Sequence, residues 1–144
     1  MDIEIYPAIK NGLKGHLTAQ NYIKQFMGKG NYEFVVGYEP TKPKYPYVKF
    51  AEVRNLPNES FRNPLYTIAN LGYKVDVYAK IDGELQKDEI ARKIAKLCND
   101  YLVCIGLRQV SWNYVENDGL NGDLYHIIIM YSTNYDEQRQ RILI

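Results

Sequence analysis

Three features of the sequence predict an α+β fold, a mainly antiparallel β-sheet with helices packed on one face. The segment from Gly72 to Thr133 reads strand, helix, strand, strand: GYKVDVYAKI, QKDEIARKIAKLCNDYLV, LRQVSWNYV and LYHIIIMYST. In its first strand Tyr73, Val75, Val77, Ala79 and Ile81 alternate with Lys74, Asp76, Tyr78 and Lys80. A period of two puts an apolar row on one face of a sheet and a polar row on the other. In the helical segment Ile90, Ile94, Leu97, Tyr101 and Leu102 recur at helical spacing, and such a stripe buries itself against the sheet its flanking strands form. Asp88 and Glu89 suit the positive end of the helix dipole, and Gly106 is placed to end the helix.

A chain of 144 residues fits one domain, residues 1–144, and can bury a real core. Lys plus Arg number 18 and Asp plus Glu 17, a net charge of +1, so no global field draws the chain to nucleic acid or membrane. The longest apolar run, Ile127 to Met130, is too short to span a bilayer. The opening MDIEIYPAIK has no basic region followed by an apolar core, so no secretory signal is expected. Cys98 and Cys104 fit neither a CxxC redox pair nor a zinc knuckle and read as reduced, buried thiols. The 14 tyrosines admit two readings. They fill half-buried strand positions, or they serve a surface wet in one state and covered in another.

Taken in order, residues 2–27 are helical. Pro7 suits a first turn, and Ile5, Ile9 and Leu13 share a face. Gly12, Gly15 and Thr18 predict a break near Gly15 and a second short helix from Ala19 to Met27. Tyr32 to Tyr38 and Tyr47 to Val53 read as strands. Between them, Pro40, Pro43 and Pro46 make Glu39 to Pro46 an extended loop, and Leu56 to Leu65 is a second irregular stretch. The strand Leu124 to Thr133 is apolar on both faces: Leu124, His126, Ile128 and Met130 on one, Tyr125, Ile127, Ile129 and Tyr131 on the other. Either helices cover both sides of the sheet or one side docks onto another chain. The sequence supplies few helices, which favours docking.

No set of residues converges on catalysis. His16 and His126 lack metal-helix spacing, and a lone histidine in an apolar strand reads as a satisfied core group. Ser60, Ser111 and Ser132 lie in no nucleophile elbow. Gly28-Lys29-Gly30 lacks the rest of a phosphate loop. A calcium loop starting at Asp118 would have Leu120 at its third position and Ile129 at its last, where carboxylates belong. Lysines and tyrosines lie close together in Lys42 to Tyr47, a composition that could contact nucleic acid, but a solvated Pro-rich loop accounts for them. The expectation is no catalytic residue, no metal and no cofactor.

The order of elements, with Tyr45-Pro-Tyr-Val-Lys-Phe, Tyr73-Lys-Val-Asp-Val-Tyr and the closing strand from Tyr125 to Tyr135, resembles the tail terminator (tail completion) family of long-tailed bacteriophages. The resemblance covers most of the chain. It implies a non-enzymatic virion protein at the tail–neck junction, assembled in the host cytoplasm into a homo-hexameric ring. Such a ring caps the tail tube protein, ends tail growth and meets the head connector. It implies no membrane and no specific nucleic-acid partner. On that basis Tyr125, Ile127, Ile129 and Tyr131 are the expected lateral contact, with Arg139 and Arg141 beside them. The loops carrying Lys42, Lys44, Tyr45 and Arg62 are the expected end-on contact. Another neck or head-completion component, or a small α+β module that binds a ligand or nucleic acid, are the other readings.

Overall fold

The computed structural model describes residues 5–28, 30, 34–38, 40–41, 44–57, 68–81, 84–116, 124–136 and 141–143. Helices α1 (Ile5–Thr18) and α2 (Asn21–Met27) precede β1 (Val35–Val36), β2 (Tyr47–Pro57) and β3 (Ile68–Ala79). Helix α3 (Lys87–Cys104), β4 (Arg108–Glu116), β5 (Tyr125–Asp136) and β6 (Arg141–Leu143) follow. One sheet runs in the order β1-β2-β3-β5-β4, with β6 on β5. Its pairs are antiparallel except β1 with β2. The fold is α+β, as the sequence predicts.

Register decides what each face carries. Val75 lies opposite Phe50 on one side and Ile129 on the other, so these three and their neighbours two apart share a face. Against that face α3 lays Ile90, Ile94, Cys98 and Leu102, and α1 adds Ile9, Leu13 and Leu17; all are buried. Tyr6 on α1 stacks on Phe50 at 5.5 Å and donates its hydroxyl to the Phe50 carbonyl at 2.6 Å. Burial, with the Glu52 carboxylate next in weight, pushes the Tyr6 and Tyr73 phenols up. Tyr131 reaches from β5 to donate to Asn99 Oδ1 of α3 at 2.8 Å, so sheet and helix also share a polar tie.

The end of α3 follows the expectation. Gly106 takes φ +108°, its N–H donates to Val103 O at 3.1 Å, and Leu107 N–H donates to Leu102 O at 3.0 Å. This is the Schellman arrangement, which a glycine adopts without strain.

Several boundaries differ from the sequence reading. Helix α1 runs unbroken through Gly15, and the interruption falls at Ala19 and Gln20. Two glycines cost about 1 kcal/mol each in a helix, but burying Ile9, Leu13 and Leu17 on one stripe outweighs that. Gly12 has a positive use: a Cβ there would run into the Tyr101 hydroxyl, so the glycine lets α1 and α3 approach. Of the strand expected from Tyr32 to Tyr38, β1 takes Val35–Val36 and residues 32–33 lie outside the described residues, while β2 continues through Leu56 to Pro57. Residues 58–65 of the second irregular stretch lie outside the described residues. Cys98 is buried, which pushes its thiol up, but Cys104 is exposed because it faces out from the last turn of α3.

Ile94 is fully buried, whereas Leu97 is only partly so. Ile94→Ala should therefore cost about 2–5 kcal/mol of unfolding free energy in a urea titration, and Leu97→Ala clearly less. Equal small losses would contradict this packing.

Candidate docking surface

All three helices contribute their buried residues to one cluster on one side of the sheet. Tyr125, Ile127, Ile129 and Tyr131 belong to that side, at 6%, 0%, 0% and 1% exposure. They are core within one chain, so the expected lateral contact cannot form there. The parity of the two-sided strand is the reverse of the expectation: α3 covers the odd row, and the even row faces away from the helices. Among the described residues no helix covers that second face.

The second face mixes buried polar and aromatic groups with half-buried apolar ones. Towards one end four rings lie in series: His126 stacks on Tyr78 at 4.1 Å, Tyr78 stacks on Tyr47 at 4.8 Å, and Tyr45 lies tilted beside Tyr47 at 5.5 Å. Lys80 Nζ lies 4.6 Å from the centre of the Tyr45 ring, a cation–π contact at the end of the series. Val36, Tyr47, Tyr78 and Leu124 bury one another here as a small second cluster. The imidazole Nε2–H of His126 donates to Asp76 Oδ1 at 2.7 Å, and Lys74 Nζ lies 3.5 Å from Asp76 Oδ2. Asp76 stands opposite Ile128 and His126 opposite Tyr78, so the pair is a diagonal cross-strand contact. His126 is thus a satisfied group, as expected, but its partner is a residue the alternation placed on a merely polar row.

Towards the other end, Arg54, Gly72, Ser132 and Arg108 form one cross-strand row over β2, β3, β5 and β4. Gly72 has no side chain, so Arg54 lies across it: a Cβ there would meet Arg54 Cζ at 3.2 Å. The guanidinium donates through Nε to Asn70 Oδ1 and through one terminal nitrogen to Ser132 Oγ at 3.1 Å. Asn70 in turn donates to Asn134 Oδ1 at 3.3 Å. A groove of about 590 Å³ opens where β4 begins, and Asn70, Arg108, Ser132 and Asn134 line part of it. None of these residues stands out by local pattern. The available signal is Gly72, since a glycine inside a strand marks a close approach.

The expected loop contacts fall partly in view. Lys44 Nζ donates to Gly30 O at 3.0 Å, and Tyr45 ends the ring series. Lys42, Arg62 and Arg139 lie outside the described residues, and Arg141 is placed only as a backbone position in β6. Among the described residues, no three His, Cys, Asp or Glu side chains come together as a metal site. Among the described residues no helix is long and apolar enough to cross a membrane.

Removing the carboxylate leaves the buried His126 N–H without its acceptor, a loss of about 1–3 kcal/mol. Asp76→Ala should show a loss of that order in urea unfolding, since Asp76 is 1% exposed and His126 6%. Lys74→Ala, at the open end of the same contact, should lose no more than about 1 kcal/mol. Near-equal losses would mean that the pair does not organise this face.

No protein-family model matches the chain, and no curated protein does. Among solved structures, 13 chains match. One is from the virion of a native gene transfer agent (GTA) particle, with 15% identity, 90% coverage of each chain and a TM-score of 0.50. At that identity the likeness establishes a shared fold.

Proposed function

We propose that the chain is a non-catalytic structural protein of a phage-like virion, which caps the tail tube as a homo-hexameric ring. In that role it ends tail growth and offers the surface that meets the head connector. The observation that carries this reading is the fold shared along 90% of both chains with a chain of a virion particle. The resemblance of the sequence to tail terminators narrows it from virion protein to ring.

A ring needs two different lateral surfaces, one meeting the other on the next copy. The two edges of the sheet are the surfaces proposed for this pair. On the β4 edge Val110 is 61% and Tyr114 51% exposed. On the β2 edge, beyond the short pairing with β1, Val53 is 46% and Leu56 57% exposed. Val53 and Val110 are each the extra residue of a bulge, where the register shifts between Glu52 and Arg54 and between Gln109 and Ser111. A bulge interrupts a ladder and discourages indiscriminate strand addition. The proposed contact therefore runs through apolar side chains at the two edges. Arg139 and Arg141 would add at most about 1 kcal/mol each at an exposed rim. Lys42, Lys44, Tyr45 and Arg62 remain the proposed end-on contacts.

Light scattering over a concentration series tests this. Wild type should approach six times the monomer mass, and Val110→Asp should lower the assembled fraction at least tenfold while keeping its circular dichroism. Ile127→Lys should instead unfold, because that position is core. A wild type that stays monomeric throughout, or a folded Val110→Asp that assembles normally, would contradict the edge-to-edge ring.

A further inference from the structure

Among its described side chains the helix-free face carries a charge imbalance that the whole chain does not. By register, Arg54, Lys74 and Arg108 belong to that face, and the acid among those side chains is Asp76. Asp76 is already engaged by His126 and Lys74. Among the described residues neither Arg54 nor Arg108 pairs with a carboxylate. Arg54 is held, among the described residues, by two neutral groups, the amide of Asn70 and the hydroxyl of Ser132. A guanidinium fixed by neutral acceptors keeps its full positive charge and spare N–H donors in a set orientation, the condition for planar recognition of a carboxylate.

The groove beside it narrows the ligand. Arg108 and Ser132 share its lining with Val103 and Leu107, so charge and apolar surface meet in one opening of about 590 Å³. That volume suits a few side chains of a peptide. Inorganic phosphate would use the arginines but not the apolar wall. Single-stranded nucleic acid would need exposed rings to stack on, and on this face Tyr47 and Tyr78 are 2% and 9% exposed, spent on each other.

From this row and groove we infer that the helix-free face binds an acidic, partly apolar segment of another protein, one carboxylate seated between Arg54 and Arg108 and a neighbouring apolar side chain in the groove. The inference goes beyond the ring and does not require it, since the row lies within one chain. It adds a second protein-binding surface to the edges.

Fluorescence anisotropy with a labelled peptide of alternating Glu and Leu tests it. The comparison probes are an oligo-dT of equal charge and inorganic phosphate as competitor. Wild type should bind the peptide saturably, and added salt should weaken the binding. Arg108→Gln, at an exposed position, should weaken it about tenfold or more, the loss expected for one charged hydrogen bond. Arg54→Lys should weaken it similarly, because an ammonium keeps the charge but not the fork. Lys96→Gln, exposed on α3, should change it less than about twofold. The inference is overturned if wild type shows no binding at millimolar peptide, or if Arg108→Gln binds like wild type. Equal binding of oligo-dT, or full displacement by a few millimolar phosphate, would overturn it in favour of a general anion site.

Discussion

The antiparallel pairing of β3 with β5, with Val75 opposite Ile129, decides what this molecule buries and what it shows. It is the most extensive pairing in the sheet together with β2–β3, and α3 packs on the same two strands. Because side chains alternate, this register stacks Tyr73, Val75 and Val77 beside Ile127, Ile129 and Tyr131 under the helices. A slip of one residue in β3 would bring Lys74 and Asp76 beneath α3, where a charge has no water and no partner. Both the core and the character of the opposite face follow from that one alignment.

The opposite face owes its nature to the same alternation. It receives the residues that a helix would not accept, and they solve their burial by pairing with one another. His126 and Asp76 share a hydrogen bond, the rings of Tyr78 and Tyr47 cover each other, and Arg54 lies over Gly72 to reach Ser132. Titratable groups spent in such pairs shape and charge a surface. Arg54 and Arg108, which meet no carboxylate among the described residues, would give that surface the proposed preference for acidic protein. The sheet edges, each blunted by a bulge and tipped by an exposed valine, offer the two unlike surfaces that a ring would join.

Much of this was legible in the sequence, because β3 and α3 carry clean periods: two for Tyr73 to Ala79, and near 3.6 for Ile90 to Leu102. The end of α3 was legible through Gly106. Strand β5 was harder. Apolar on both faces, it gives no sign of which row meets the helices, and only its register with β3 settles that Ile127 is core and Ile128 is not. Gly12 and Gly15 misled for a related reason: a local propensity of about 1 kcal/mol was overridden by packing against α3. The Arg54–Asn70–Ser132–Asn134 network spans 80 residues of sequence and was invisible to any local window. The same holds for the Asp76–His126 pair, whose members lie 50 residues apart.

The central claim is that one face of a single sheet is core and that copies join through the edges into a closed ring. Single-particle electron microscopy of the purified protein tests this most directly. The account predicts closed rings with six-fold symmetry, in which β4 of each copy lies beside β2 of the next and the helix-free face is left open to a partner. Two-fold dimers joined through that face, or particles that remain single chains at every concentration imaged, would contradict it.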